Sequence, residues 1–200
     1  MKLWYAPTSP FARKVRIAAH ELGLANRIGL LKVDPWTDAR LRALNPLAKV
    51  PTLELVDGSA IYESGLICEY LDAQAQTPLL FPPAGPARWH TLLRQGLADG
   101  AASSAGRLYA EQRKPQADRI AAMEDRFRAA IDAALDAMEQ DVPAHDAPLI
   151  GNIAAAAFIG YLDFRFPATG WRIGRLKLSA WFDVFSARPS MTDTAHRPAT

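Results

Sequence analysis

The segment MKLWYAPTSPFARKVRIAA, residues 1–19, decides how the rest of the chain is interpreted. Leu3 and Tyr5 alternate with polar Lys2 and small Ala6, which predicts a short strand. Pro7 ends that strand, since proline has no backbone N–H for a sheet. Ser9 followed by Pro10 predicts a helix start, with a capping hydroxyl and then a residue fixed at a helical φ. A lone hydroxyl at a helix N-terminus can act on an anion, although many Ser-Pro caps are purely structural.

The composition is that of an ordinary globular protein with room for a sizeable core. Half of the 200 residues are apolar, 22% are charged and the net charge is +2, so we expect no nucleic-acid or membrane partner. A single cysteine, Cys68, excludes an internal disulfide. With no signal-like apolar run at the start, this predicts a cytoplasmic protein. The four histidines (20, 90, 145 and 196) show no metal-ligand spacing, so we expect no metal.

The first part of the chain mixes helix and strand signals. We predict a helix from Ser9 to about Leu22, a strand at 28–33 parallel to the first, a short helix at 37–44, strands at 52–56 and 60–62 joined by an Asp57-Gly58 hairpin, and a helix capped by Ser64 and ending near Gln74. The order βαβ-α-ββα predicts one compact α/β domain over residues 1–76. The basic side chains Arg13, Lys14 and Arg16 fall mostly off the apolar face of the first helix and are expected in solvent.

Residues 77–86 contain four prolines and are predicted to be a linker, after which strand signals disappear. An all-α domain is predicted over 87–200, with helices at 87–112, 116–140, 152–165 and 176–187. The third of these is apolar almost all round and should be central and buried. Asn152 is expected to cap it, with alanine at 155 where a capping box has an acid, so Ala155→Asp should stabilise it. The segment from Arg188 onward shows no periodicity and is expected to be loose or merely draped over the surface.

Three motifs in this order resemble the cytosolic glutathione S-transferase family over nearly the whole chain. They are Ser9-Pro10-Phe11-Ala12-Arg13, Asn45-Pro46-Leu47-Ala48-Lys49-Val50-Pro51-Thr52-Leu53, and Tyr62-Glu63-Ser64 followed by Ile67-Cys68-Glu69-Tyr70-Leu71. The Ala187-Arg188-Pro189-Ser190 run near the C-terminus also resembles that family. The resemblance implies a thioredoxin-like first domain, a helical second domain and a small bacterial member with serine at the first helix start.

The resemblance implies that Ser9 donates a hydrogen bond to the sulfur of glutathione and so favours the thiolate, helped by the positive end of the helix behind it. Thr8 is a rival hydroxyl and Tyr5 a weaker one. The two cysteines of a thioredoxin-type site are absent, so exchange through a protein thiol is not expected. Cys68 is interpreted as a small core residue.

The same resemblance implies the rest of a glutathione site. A cis Val50-Pro51 bond would present the backbone of Val50 to the ligand, and Lys49 could reach the glycyl carboxylate, although a solvated lysine is the alternative. Ser64 would bind the γ-glutamyl carboxylate at a helix N-terminus, and Glu63 would face the ammonium group. Asp99 could reach the same ammonium across a dimer interface.

We therefore predict a cytoplasmic, homodimeric glutathione transferase in detoxification, with glutathione as co-substrate. Its second substrate, a small hydrophobic electrophile, would lie between Ser9 and the later helices. The expected lining of that pocket is Arg107, Tyr109, Phe166 and Trp171. Two alternatives stay open: a glutathione-dependent isomerase or dehalogenase, and a non-catalytic interaction protein on the same scaffold.

Overall fold

The computed structural model describes residues 1–143 and 147–197. Its strands are β1 (Lys2–Tyr5), β2 (Gly29–Lys32), β3 (Thr52–Glu54) and β4 (Ala60–Tyr62). Its α-helices are α1 (Pro10–Glu21), α2 (Ala39–Leu44), α3 (Ser64–Gln74), α4 (Pro86–Gln112), α5 (Ala121–Gln140), α6 (Ile150–Arg165), α7 (Leu176–Ser186) and α8 (Pro189–Thr192). None of the helices in this described part of the chain is long and apolar enough to cross a membrane.

The four strands form one mixed sheet in the order β2-β1-β3-β4. β1 and β2 are parallel and β3 and β4 antiparallel, as the sequence predicts, but β3 ends two residues earlier than predicted. Because successive side chains of a strand point to opposite faces, Leu3 packs in the main core. Trp4 packs on the other face with Val33 and Leu41 of α2. The sheet is therefore covered on both sides, as in a thioredoxin-like domain.

The later helices pack around α6, which is buried along most of its length as predicted. α4 packs along α6 and α1 also contacts it, whereas α5 packs on α4. α5 begins at Ala121, later than predicted, after a short 3₁₀ turn at Gln116–Asp118. The buried face of α4 runs from Thr91 to Glu111, and half of its residues are alanines. Its large apolar residues Trp89 and Leu93 lie instead on the opposite side, in solvent.

The predicted cap of the central helix is wrong. The capping residue is Leu149, and Asn152 lies within the first turn. The Asn152 side chain accepts from Arg94 Nη1 at 2.9 Å and donates to the Ala147 carbonyl at 2.8 Å. Ala155 is buried inside the helix, so an aspartate there would place a charge in the core and would not restore a cap.

The expectation of solvated cations on α1 is wrong for two of the three. Arg13 and Lys14 are buried. Arg13 Nη2 donates to the Met191 carbonyl at 3.1 Å, and burial lowers the pKa of its guanidinium to about 10. Lys14 is paired with an acid of α4. The charges are retained inside because each has a partner on a later helix.

The expectation of a loose C-terminal segment is also wrong up to residue 197, and residues 198–200 lie outside the described range. α8 packs on α1, and Ser190 and Thr194 are buried. Arg188 donates to both carboxylate oxygens of Glu21, at 2.9 and 2.7 Å, and Ser190 donates to the same group. The Ala187-Arg188-Pro189-Ser190 run therefore attaches the segment after α7 to α1.

Candidate functional site

Ser9 caps α1 as predicted. Its φ and ψ are extended, and its hydroxyl oxygen accepts a hydrogen bond from the Ala12 amide at 3.2 Å. Because the oxygen is the acceptor in this bond, the hydroxyl proton stays available to a second acceptor. The positive end of a twelve-residue helix lies directly behind it.

A cleft of about 430 Å³ brings together six of the seven predicted site residues. They come from the loop before β3, from the start of α3 and from α4: Lys49, Val50, Pro51, Glu63, Ser64 and Asp99. The Val50–Pro51 bond is cis, as the resemblance implies. Ser9 is not part of this lining, but Phe11, two residues further along, is.

The N-terminus of α3 opens into this cleft in a way the sequence did not predict. Ser64 is the first residue of the helix and not its cap. The cap is Glu63, at φ 72°, and its side chain makes no capping hydrogen bond to the amides of the first turn. Ser64, Gly65 and Leu66 of that turn all line the cleft. Unbonded amides at a helix start bind an anion well.

Asn45 has a role that sequence reasoning missed. It follows the predicted helix at 37–44 and begins the second motif, and its side chain is buried. Its amide nitrogen donates to the Lys49 carbonyl at 3.1 Å and to the Thr52 hydroxyl at 2.9 Å. These bonds fix the loop that carries the cis proline against β3.

Asp99 lies in the cleft of its own chain, held by a buried lysine. Lys14 Nζ donates to both Asp99 oxygens, at 2.8 and 2.6 Å. The lysine side chain is 1% exposed and that of the aspartate 30%. Asp99 therefore presents a fixed, partly open carboxylate to whatever occupies the cleft.

Cys68 is buried, and burial raises the pKa of its thiol to about 12, as suits the predicted core residue.

A second, wider cavity of about 830 Å³ lies on the other side of the Ser9 turn. Thr8 lines it, together with Trp36, Gly106, Tyr109, Ala110, Arg113, Phe164 and Arg165. Tyr109, expected to line the pocket of the second substrate, lines this cavity. Phe166 and Trp171 line a separate cavity of about 200 Å³, and Arg107 is exposed and lines neither. Hydrogen bonding from Arg113 lowers the pKa of Tyr109.

His196, in the segment expected to be loose, supports the wall of this second cavity. Its ring stacks on Phe164 with centroids 5.1 Å apart, and Nδ1 lies 3.2 Å from the Pro7 carbonyl. Burial lowers its pKa to about 3, so the ring is neutral and Nδ1 can donate to that carbonyl. Sequence reasoning missed this residue because an isolated histidine in an aperiodic segment gives no signal.

A thioredoxin-like sheet followed by a helical domain, with a polar cleft where the two meet, defines a glutathione-transferase type of architecture. The family description "Glutathione S-transferase, N-terminal domain" matches residues 8–74. The GST-like protein YibF of Escherichia coli K12, described as uncharacterized, is 30% identical over 97% of this chain and 98% of its own length.

Solved structures agree along the whole chain. A glutathione transferase family member from Pseudomonas fluorescens Pf-5 with bound glutathione is 36% identical, with a TM-score of 0.94 over 98% of this chain and 99% of its own. A glutathione S-transferase of Methylobacterium radiotolerans, in complex with glutathione sulfonate, is 33% identical, with a TM-score of 0.91 over 100% and 96%. The chain belongs to the glutathione S-transferase family.

Proposed function

We propose that this protein is a glutathione transferase that binds glutathione in the cleft between α3 and α4 and activates its thiol at Ser9. The observation that carries the proposal is the meeting of six side chains from three separate segments in one cleft. A relative whose structure contains glutathione, at 36% identity, supports the same ligand. In this proposal residues 1–76 bind glutathione, 77–86 are a linker and 87–200 supply the second substrate pocket.

Each charged group of glutathione has a complementary group in the cleft. The γ-glutamyl carboxylate would accept from the free amides at the start of α3 and from Ser64. The ammonium group beside it would face Glu63 and Asp99. Lys49, in the loop opposite, would pair with the glycyl carboxylate, and Val50 would bond the ligand backbone.

In the proposed reaction the Ser9 hydroxyl donates to the glutathione sulfur, and the α1 N-terminus adds positive potential. Both favour the thiolate, and the thiol proton is released to solvent. The thiolate attacks a carbon of the electrophile and forms a C–S bond. In a substitution the leaving group departs with the electron pair of the bond that breaks, and in an addition that pair shifts onto the acceptor, which takes a proton from solvent. Ser9 itself forms no covalent bond.

Replacement of Ser9 tests this assignment. Ser9→Ala should lower kcat/KM for conjugation of a chromogenic aryl halide by about 10²-fold, the loss seen when a single oxyanion-type donor is removed. The dissociation constant of glutathione, measured by calorimetry, should change less than about threefold. Thr8→Val is the matched control and should retain most activity. Full activity in Ser9→Ala with loss in Thr8→Val would transfer the role to Thr8.

The two alternative functions predict different outcomes in the same assays. A glutathione-dependent isomerase or dehalogenase would bind glutathione without conjugating the aryl halide. A non-catalytic interaction protein would not bind glutathione and would not conjugate the aryl halide. The retention of Lys49, Glu63 and Ser64 around one cleft supports a glutathione-binding enzyme over that last alternative. The cytoplasmic location stays a prediction from the sequence.

We also propose a homodimer that buries the exposed side of α4. Trp89 and Leu93, 71% and 73% exposed, form an apolar stripe with Leu97 at helical spacing. Light scattering during gel filtration should give twice the monomer mass of 21.9 kDa. Leu93→Arg should shift the protein to the monomer, whereas Val56→Arg, in the exposed β3–β4 turn, should not. A monomeric wild-type protein would contradict the proposal.

A further inference from the structure

We propose that the second substrate carries a carboxylate, which Arg113, Arg165 and Tyr109 bind in the cavity beside Thr8. This inference rests on the proposed function, because it names the electrophile class that the same enzyme would accept. It replaces the simple hydrophobic electrophile expected from the sequence with one that has an apolar body and an anionic end.

Arg165 is fixed in place before any ligand arrives. Its guanidinium carbon lies 4.1 Å from the ring centroid of Tyr109 and 4.5 Å from that of Phe164. Its Nη1 donates to the Tyr109 hydroxyl at 2.9 Å. Its Nε is buried and has no hydrogen-bond partner among the described residues. A guanidinium held between two rings loses little freedom when it binds a planar anion.

Arg113 approaches the same hydroxyl from another turn of the chain. Its Nη1 donates to the Tyr109 oxygen at 3.1 Å, and its guanidinium carbon lies 5.6 Å from the ring centroid. The phenol oxygen thus accepts two hydrogen bonds, which leaves its own proton to donate elsewhere. Two guanidinium groups and one phenol, all of them hydrogen-bond donors, therefore meet in the lining of one cavity.

No carboxylate neutralises these two arginines in the part of the chain that the structure describes. The acid two residues before Arg113, Glu111, accepts from Lys114 at 2.6 Å and from the Ile120 amide at 2.9 Å. The acid two residues before Arg165, Asp163, accepts from Trp171 at 2.7 Å and from Arg172 at 3.1 Å. Both nearby acids are thus bonded to other groups.

Packing on aromatic rings accounts for the position of Arg165 but not for the convergence of two like charges on one hydroxyl. Two cations that share a neighbour repel each other unless an anion lies between them. Arginine forks match the two oxygens of a carboxylate, and such bonds are about twice as strong as those between neutral groups. A carboxylate on the ligand supplies the missing charge.

The cavity also lies where the second substrate must enter. Thr8 lines it, and Phe11 lines the glutathione cleft, so the turn that carries Ser9 separates the two spaces. One face of α4 runs past both, with Gly100 in the cleft and Gly106 in the cavity. A Cβ at Gly106 would meet no atom within 4 Å, so the cavity is open there.

Calorimetric binding of three ligands tests the inference: glutathione, S-(4-carboxybenzyl)glutathione and S-(4-methylbenzyl)glutathione. The two adducts differ only in the group that would reach the arginines. The wild-type protein should bind the carboxylate adduct about tenfold or more tightly than the methyl adduct. Arg113→Met and Arg165→Met should each bring that ratio close to one, with glutathione affinity unchanged. Arg107→Met changes an exposed arginine of α4 that does not line this cavity, and should leave the ratio as it is.

Equal affinity of the wild-type protein for the two adducts, with normal glutathione binding, would overturn the inference and leave the proposed function intact. Failure to bind glutathione or either adduct would overturn both. If Arg165→Met does not fold, Arg113→Met decides alone, because its side chain is exposed and its glutathione binding reports on the fold. An unchanged ratio in that variant would overturn the inference.

Discussion

Glu63 lines the cleft at the N-terminus of α3 in a left-handed backbone conformation. The Tyr-Glu-Ser motif resembles a known site, so Glu63 was predicted as a ligand residue. Its φ of 72° is in the left-handed region, which costs a residue with a side chain about 1–2 kcal/mol. Glycine would relieve that cost but would bring no carboxylate. The strain falls on an acid that lines the cleft, and no local sequence pattern indicates it.

His196 makes the stability of the fold depend on pH. Burial is the main reason that its pKa falls to about 3, and the charge of Arg13 adds to it, while the bond to Pro7 opposes it. In the unfolded chain a histidine binds a proton below about pH 6.5. Between those two values the unfolded state therefore holds more protons than the folded state. The stabilisation is complete above about pH 6.5 and is lost as the pH falls toward 3.

The expected slope can be measured by urea unfolding at pH 7.5, 6.0 and 5.0. His196 should contribute a loss of at most about 1.4 kcal/mol in the free energy of unfolding for each pH unit below 6.5. His196→Phe keeps a ring against Phe164 but cannot titrate, so its unfolding free energy should fall less steeply. Equal slopes in the two proteins would show that His196 is not buried in its neutral form.

Among the elements, α4 was predicted with nearly correct ends, but hydrophobicity alone does not show which of its faces packs. Its large apolar residues Trp89 and Leu93 lie in solvent. The side that packs is built from Ala98, Ala101, Ala102 and Ala105. Small side chains let two helix backbones approach closely, and a hydrophobicity pattern does not weigh that contact. The helix could thus be predicted from local sequence, whereas its packing partner could not.

The close approach of α4 and α6 predicts opposite effects for two glycine substitutions. A Cβ at Gly151 of α6 would lie 2.6 Å from the Thr91 carbonyl oxygen and 3.0 Å from the Arg94 Cβ. Gly151→Ala should therefore lower the free energy of unfolding by about 1–3 kcal/mol. Gly106→Ala is the control, since its Cβ would meet open space, and should raise it by about 0.5–1 kcal/mol. Urea unfolding measures both, and a Gly151→Ala protein as stable as wild type would contradict this packing.

For the whole molecule, the order of elements and the family could be predicted. The side-chain contacts that join α1 to the later helices, called joints below, could not. Each joint pairs residues far apart in the sequence, such as Arg13 with Met191 and Glu21 with Arg188. A charged residue on a helix is most often in solvent, so Arg13 and Lys14 were assigned there. Only the folded chain shows that α1 is enclosed by later helices. The same enclosure places Asp99 of α4 beside residues of the first domain and so completes the cleft.

The Lys14–Asp99 pair is the joint that a double-mutant cycle can measure. Asp99→Ala leaves the lysine charge buried without its acid and should lower the free energy of unfolding by about 2–3 kcal/mol. Lys14→Met replaces the cation by an apolar chain of similar length. It leaves only the partly exposed aspartate unpaired, so its loss should be about 1 kcal/mol or less. In the double variant Lys14→Met/Asp99→Ala no charge is left unpaired, and most of the stability should return. The cycle should therefore give a coupling of about 2 kcal/mol in urea unfolding without glutathione, since contacting residues are not additive. Additive losses would mean that Lys14 is stabilised by something other than Asp99, and Asp99 would then be free to serve the ligand alone.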